Sequence, residues 1–250
     1  MDDKYIHIYG RHAVMTALTS RPDTVRVLYL RDDMKQQVAP ELRQAAGITE
    51  IFSGKKLPLP IDEDAVHQGM MAKIDRYKLL MPYDTFKQDL VVTPDTAIAV
   101  LGEIQDPHNV GAVIRSAAAF GVQAILIPKH RQAGITGAVV KVSVGMAFTV
   151  PIVEVGNVNR ALEDLKKAGC FVYGLAGEGS VSLHAEQFTK ASVFVLGNEA
   201  EGLREKTREH CDTLLTIPMH TRCESLNASV SAAVTFAVWS AQHPRALKSV

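Results

Sequence analysis

The chain has 250 residues and carries 27 Lys and Arg against 27 Asp and Glu, so its formal net charge is zero and bulk charge names no partner. A hydrophobic fraction of 47% with 22% charged residues is the composition of a soluble globular protein, long enough for one large domain or two small ones. The longest nearly uncharged apolar stretch, residues 226–241, is interrupted by Ser, Thr and Asn and is shorter than the roughly 20 residues a membrane span needs.

Taken in chain order, residues 11–19 read as a helix with Val14, Leu18 and smaller Ala residues on one face. Residues 25–30 read as a strand, 34–46 as a helix ended by Gly47, and 48–52 as another strand. Asp62 opens a short helix, and 69–74 returns as a strand. These elements make residues 1–80 a small α/β unit. Residues 81–95, with two prolines and mixed polarity, read as a linker in which Phe86, Leu90 and Val91 have the means to pack. From residue 96 onward apolar runs alternate with helical patterns. Strands are expected at 97–101, 124–127, 149–153, 171–175, 192–196 and 213–217. Helices are expected at 110–120, 137–144, 158–168, 203–209 and 226–240. This alternation predicts a mostly parallel sheet covered by helices on both faces, within residues 96–250.

Between Pro107 and Val153 there is no acidic residue, while Arg115, Lys129, Arg131 and Lys141 are basic. Two readings stay open: scattered solvated cations, or a basic face that meets phosphate. The three cysteines, Cys170, Cys211 and Cys223, match no zinc or redox spacing, and their odd count does not suit a disulfide framework. The opening Met-Asp-Asp-Lys lacks the order of a signal peptide, so a soluble, reduced, cytoplasmic protein is expected.

Three blocks in the second half pair glycine or proline with polar residues at the ends of apolar strands, the place where pockets form on a parallel sheet. The first is Asn109-x-Gly111-x-x-x-Arg115. Asn109 reads as a helix cap or an active-site amide. Arg115 reads as a surface cation, or as a long side chain with room among Ala112, Ala118 and Ala119 to reach a ligand or a partner chain. The second block is Leu196-Gly-Asn-Glu-Ala-Glu-Gly-Leu203, where Gly197 permits close approach. Glu199 orders the loop, binds an amine or pairs with an arginine, or else Glu199 or Glu201 merely caps the next helix. The third runs from Ile217-Pro-Met219 to Ser225-Leu-Asn227. Ser225 and Asn227 suit caps, while Ile217 and Leu226 suit the faces of an adenine. His108 and His220 flank these blocks. No Gly-x-Gly-x-x-Gly follows a strand, and no phosphate-loop, zinc-protease or serine-hydrolase motif is present. Three glycines lie between Gly174 and Gly179 at the wrong spacing for a dinucleotide fingerprint.

In order, the three blocks resemble the motifs of the SpoU (TrmH-like) family of RNA ribose 2′-O-methyltransferases, of the SPOUT superfamily. The match includes Asp106-Pro-His-Asn-Val-Gly-Ala-Val-Ile-Arg-Ser-Ala117. Tyr9-Gly-Arg-His-Ala-Val14 and Ala65-Val-His-Gln-Gly69 are similar to that family's RNA-binding extension, in the branch that modifies a guanosine of large-subunit ribosomal RNA. The resemblance implies a deep C-terminal trefoil knot, a rare exception to the usual rules of chain connection. It also implies an S-adenosylmethionine (AdoMet) pocket in the knot, no metal, and a homodimer through the knotted domain. Carried over, Gly197, Ile217, Met219 and Leu226 contact the cofactor. Arg115, Asn109, Glu199, Ser225 and Asn227 form the polar active-site set.

Methyl transfer from a sulfonium needs the ribose oxygen in line with the methyl carbon, and stabilisation of the charge that grows on that oxygen. The family proposal makes the arginine a base. A guanidinium holds its proton too firmly for that, so Arg115 is expected to orient the hydroxyl as a cation. The sequence departs from its resemblance at His220-Thr-Arg-Cys-Glu224. There Arg222 and Glu224 form a local ion pair of little worth or alter substrate or cofactor binding. The rival readings are a tRNA ribose methyltransferase, a silent RNA-binding assembly factor and a nucleotide-dependent oxidoreductase. The missing glycine fingerprint argues against the last.

Overall fold

The computed structural model describes residues 4–53, 57–61, 65–198 and 200–248. The chain forms two compact units. One comprises residues 1–80 with 135–149, the other 81–134 with 150–250.

In the first unit the strands β1 (Tyr5–Tyr9), β2 (Val25–Arg31), β3 (Ile48–Phe52) and β4 (Met70–Asp75) form one sheet in the order β1-β4-β2-β3. β4 runs antiparallel to β1 and β2, and β3 runs parallel to β2. Helices α1 (Arg11–Ser20), α2 (Pro40–Ala45) and α3 (Arg76–Leu79) complete residues 1–80. Strict alternation in β1 buries Ile6 and Ile8 while Tyr5, His7 and Tyr9 stay half-buried. With Leu28, Leu30, Ala72 and Ile74, those isoleucines make the core face, against which α1 lays Val14, Ala17 and Leu18. Each such large aliphatic contributes about 1.5–3 kcal/mol by leaving water.

The helix expected over 34–46 is divided. A 3₁₀ stretch covers Asp32–Gln37, and the α-helix starts only at Pro40. Proline has no amide hydrogen to donate inside a helix and keeps its predecessor extended, so it starts a helix rather than continuing one. β1 was not among the expected strands, and Asp62, expected to open a helix, lies outside the described residues.

The second unit begins with β5 (Leu80–Pro82) and α4 (Tyr83–Asp89), where the sequence suggested a linker. Phe86 of α4 is buried in the core beneath the large sheet, which is why residues 81–95 belong to this unit. Then follow β6 (Ala97–Leu101), α5 (Pro107–Ala119) and β7 (Ala124–Pro128). Helix α6 (Gly137–Val142) belongs to the first unit. A Cβ on Gly137 would stand 2.1 Å from the His7 carbonyl oxygen, so only glycine lets α6 come this close to β1. Residues 135–149 make most of their contacts within the first compact unit.

The chain continues with β8 (Ile152–Val155), α7 (Val158–Lys167), β9 (Phe171–Leu175), β10 (Val181–Ser182), β11 (Ser192–Leu196), α8 (Glu205–Glu209), β12 (Thr213–Thr216) and α9 (Ala228–Gln242). β8 starts three residues later than expected, because Met146–Phe148 forms a 3₁₀ turn and Pro151 precedes it. The sheet order is β10-β12-β9-β11-β6-β7-β8-β5, and the pairings from β10 through β8 are all parallel. One face packs Ile98, Val100, Leu126, Val153, Val193 and Val195 against Leu162 and Leu165 of α7 and Phe86 of α4. The other carries stacked Tyr173 and Phe194, and Phe194 meets Phe236 of α9 at 6.1 Å between ring centroids. Both faces are thus covered, as the near-continuous apolar strands require.

No helix among the described residues is long and apolar enough to cross a membrane. The described residues hold no cluster of three His, Cys, Asp or Glu side chains able to bind a metal. All three cysteines are free, and burial pushes the thiols of Cys170 and Cys211 up to about 11, which leaves them unreactive near neutral pH.

In the first unit Asp75 is a buried charge held by a cation and by backbone. Its carboxylate accepts from Arg26 Nη2 at 2.6 Å and Nε at 3.1 Å, and from the Tyr77 amide at 3.1 Å. Burial alone would raise its pKa, but Arg26 and the backbone amides outweigh burial and hold it below the ordinary 3.8. A depressed carboxylate stabilises the fold above its unfolded pKa and loses that contribution as pH falls through its folded one. Asp75→Ala is expected to cost about 1–3 kcal/mol at neutral pH, measured by urea unfolding. The gap to wild type should start to narrow below about pH 4 and keep narrowing until the pH passes the lower folded value of Asp75.

Candidate functional site

A cavity of about 370 Å³ opens at the carboxyl ends of the neighbouring strands β12, β9 and β11. Three loops wall it: Leu175 to Glu178 after β9, Leu196 to Leu203 after β11, and Thr216 to Ala228 between β12 and α9. This is where an open parallel sheet gathers loops from several strands at one rim. Leu196, Leu203, Leu215, Ile217, Met219 and Leu226 give it apolar walls, while Glu178, Glu201, Glu224 and Arg208 bring charge to its rim.

The second loop is a closed turn. Asn198 and Gly202 exchange both backbone hydrogen bonds at 2.9 Å, and Gly202 has φ of 67°. Asn198 Oδ1 accepts from the Ala200 and Glu201 amides, and its Nδ2 donates to the Glu103 carbonyl at 2.9 Å. Gly197 is obligatory there: a Cβ would lie 2.3 Å from the Gly202 carbonyl carbon. The loop is also tied to the end of β6, because the Gly102 amide donates to the Leu196 carbonyl at 2.6 Å and Arg204 pairs with Glu103 at 2.6 Å.

The first and third loops are joined by Thr216 Oγ1 donating to the Gly177 carbonyl at 3.0 Å and by the Ala176 amide donating to the Leu215 carbonyl at 3.0 Å. Arg208 links the first loop to the second. Its Nε donates to the Leu203 carbonyl at 3.1 Å, and its Nη1 forms an ion pair with Glu178. Glu178's own backbone amide, and then Arg208, hold its carboxyl below the usual carboxylate range.

The sequence-derived residues are placed unevenly. Gly197, Ile217, Met219, Ser225 and Leu226 all line the cavity. Glu199 lies outside the described residues. Asn109 is not the cap of α5. Asp106 is, through its Oδ1 and the His108 amide at 2.8 Å. Asp106 precedes Pro107, and proline in the first helical position fixes where the helix starts, which leaves Asn109 inside the first turn.

Buried there, Asn109 accepts from Asn227 Nδ2 at 2.9 Å through its Oδ1. Asn227 caps α9, accepting from the Ser229 amide at 2.8 Å, whereas Ser225 does not cap. Arg115 is six residues beyond Asn109, about 120° around the helix. It is therefore exposed, and it is not among the residues that line the cavity.

Glu201 caps no helix, since α8 starts after Arg204. Among the described residues no ion pair joins Arg222 to Glu224; Glu224 instead reaches the cavity rim. His108 and His220 are exposed, and the His220 ring accepts from the Arg222 amide at 3.2 Å. Of the basic residues of the acid-free segment, Lys141 belongs to the first unit and the other three to the second.

The sequence reading missed Asn198, Glu178 and Arg208. The first carried a signal, being flanked by Gly197 and Glu199. The glycines from 174 to 179 also carried one, although their spacing fits no dinucleotide fingerprint. Gly179 is pressed so closely on β12 that a Cβ would lie 2.5 Å from the Leu215 carbonyl carbon.

Comparison with known proteins places these features in a family. Residues 96–237 match the family model described as the SpoU rRNA Methylase family, and residues 7–80 match RNA 2′-O ribose methyltransferase substrate binding. The chain is 38% identical over 240 residues to the 23S rRNA (guanosine-2′-O-)-methyltransferase RlmB of Xylella fastidiosa, covering 94% of this chain and 96% of that protein. It is 35% identical over 228 residues to the RlmB of Neisseria meningitidis, covering 90% of each. In fold it resembles the AdoMet-bound rRNA methyltransferase from Sinorhizobium meliloti, with a TM-score of 0.80, 22% identity, and coverage of 98% of this chain and 89% of that one. With both of its units matched, the chain belongs to the SpoU rRNA methylase family.

Proposed function

We propose that this protein transfers a methyl group from AdoMet to a ribose 2′-hydroxyl of a guanosine in large-subunit ribosomal RNA, acting in the cytoplasm as a homodimer. The observation that carries this reading is the cavity at the ends of β9, β11 and β12, walled by two of the three sequence blocks. The names of the RlmB relatives, which cover nearly the whole chain, support the guanosine and the ribosomal RNA. The wall chemistry fits AdoMet. Leu196, Ile217 and Leu226 offer apolar faces to an adenine, the loops offer backbone groups to its edge, and the carboxylates of Glu178, Glu201 and Glu224 suit a cationic donor. When bound, AdoMet supplies a methyl group already activated by its sulfonium.

The chain's own residues then have separate tasks. Gly197, Ile217, Met219 and Leu226 hold the donor, largely through backbone and apolar contact. Asn227 keeps α9 capped and, through Asn109, joins the cofactor loop to α5, the helix that carries Arg115. Arg115 orients the ribose hydroxyl and stabilises the charge that develops on its oxygen, remaining a cation throughout. Ser225, at the cavity, and Glu199 complete the polar set.

Arg115 is exposed and does not line the cavity of its own chain, which supports a paired arrangement in which the active site is completed across a two-fold interface. Helix α9 supports the same arrangement. Beyond its buried Phe236 and Trp239 it leaves Val230 46% exposed and Val234 and Val238 half-buried, an apolar stripe suited to a second copy. The knotted path belongs to this reading too, with the connection from β12 to α9 passing along the cavity wall.

Two substitutions separate the tasks. Arg115→Lys is expected to keep AdoMet affinity by isothermal titration and to lose on the order of 100-fold in single-turnover methylation of ribosomal RNA. Wild-type rates would remove Arg115 from the mechanism. Gly197→Ala forces the Gly202 backbone aside and is expected to weaken AdoMet binding about five- to a hundredfold, since overpacking a tight site costs about 1–3 kcal/mol. Unchanged binding would move the donor site elsewhere. Mapping 2′-O-methyl groups in RNA from cells with and without the gene tests the substrate, and a lost mark on transfer RNA alone would overturn the ribosomal assignment.

A further inference from the structure

The first unit's sheet has two unlike faces. One is the core, closed by α1. On the other, His7, Lys73, Val27 and Ile48 form one row across β1, β4, β2 and β3, and Tyr9, Met71, Tyr29 and Glu50 form the next. Leu57, Leu59 and Ile61 cover part of this face by packing with Tyr29, Phe52 and Met71, and Tyr9 and Val27 lie partly buried against the same cluster. Tyr5, His7 and Tyr9 stay half-buried, and Ile48 is 58% exposed. A sheet face turned from its core ordinarily presents small polar residues. This one presents rings and aliphatics.

Cations stand on those rings. Lys73 Nζ lies 4.0 Å from the Tyr5 ring centroid, and Lys141 Nζ lies 4.7 Å from that of Tyr9. The carboxylate of Asp75, which pairs with Tyr5 across β1 and β4, is taken by Arg26. Burial first, and then the Lys73 charge, lower the pKa of His7, which favours its neutral ring.

We propose that this face is a stacking platform for unpaired RNA bases, with Tyr5, His7 and Tyr9 as the rings and Lys73 and Lys141 as phosphate partners. The proposal rests on the RNA-methylating reading above and names the surface through which the substrate is held. Single-stranded RNA offers π-faces and phosphates at alternating positions, and aromatic rings flanked by ammonium groups match both. A second copy of the chain or an apolar protein segment would use the rings and Ile48 but would leave the lysines without anionic partners.

The test uses the full chain and a short fluorescent single-stranded RNA, with its duplex as control. Tyr5→Leu with Tyr9→Leu keeps apolar bulk but removes the rings, whereas Tyr5→Phe with Tyr9→Phe keeps them. The leucine pair is expected to weaken single-strand binding on the order of ten- to a hundredfold, the phenylalanine pair to stay near wild type, and AdoMet titration to be unchanged in both. Wild-type RNA affinity in the leucine pair overturns the proposal, as does a change of oligomeric state by light scattering without a change in RNA binding.

Should the leucine pair fail to fold, ultraviolet crosslinking of the wild-type protein to the same RNA decides. Adducts on the β1 and β4 peptides support the platform, and adducts confined to other segments overturn it. Failure of the wild type to bind AdoMet would instead sink the enzymatic reading, and the two failures are distinguishable.

Discussion

The close approach of backbone to backbone at the carboxyl end of β11 is the constraint on which the candidate site depends. Leu196 ends a fully buried strand, and its carbonyl receives the Gly102 amide from the neighbouring strand end at 2.6 Å. Neither Gly102 nor Gly197 has room for a side chain, since a Cβ would meet main-chain atoms at 2.8 Å or less in both places. The turn that follows is therefore set by covalent geometry and hydrogen bonds rather than by packing of flexible side chains. Asn198 then locks it from inside and to Glu103. A site assembled from backbone in this way is stiff before any ligand arrives, and preorganisation lowers the cost of binding.

Around that turn the other two loops are joined by a few polar contacts. Thr216 reaches Gly177, and Arg208 spans from Leu203 to Glu178. These are individually modest, and the Arg208–Glu178 pair is largely exposed, so it contributes little stability by itself. Its value is geometric: it connects two walls of the cavity. Asn109 and Asn227 act in the same manner, where an amide pair joins α5 to the cap of α9.

Much of this was legible beforehand. The strands at 97–101, 171–175 and 192–196 stand where their apolar runs predict, because a strand buried on both faces leaves an unbroken hydrophobic signature. Five of the named site residues line one cavity because glycine and proline after such strands mark where loops gather. Less was legible where a residue's task depends on a distant partner. The Asn109 side chain looks like a cap until Asp106 takes that task and Asn227 arrives from 118 positions away. Residues 81–95 look like a linker because their polarity is mixed; only the groove under the large sheet makes Phe86 a core residue. Edge strand β1 escaped notice because three of its five residues face outward as Tyr, His and Tyr.

By itself the sequence determined most element types, the family resemblance and the chemistry on offer, because these follow from local periodicity, backbone-permissive residues and ordered motifs. Tertiary structure alone decided which side chains meet. It put residues 135–149 with the first unit, made a bond of Asn109 and Asn227, left Arg115 exposed and off the cavity wall, and brought Lys73 over Tyr5. The physical reason is the same in each case: propensity and pattern act within about one turn or one strand, whereas these contacts join positions tens of residues apart whose meeting depends on how whole elements pack.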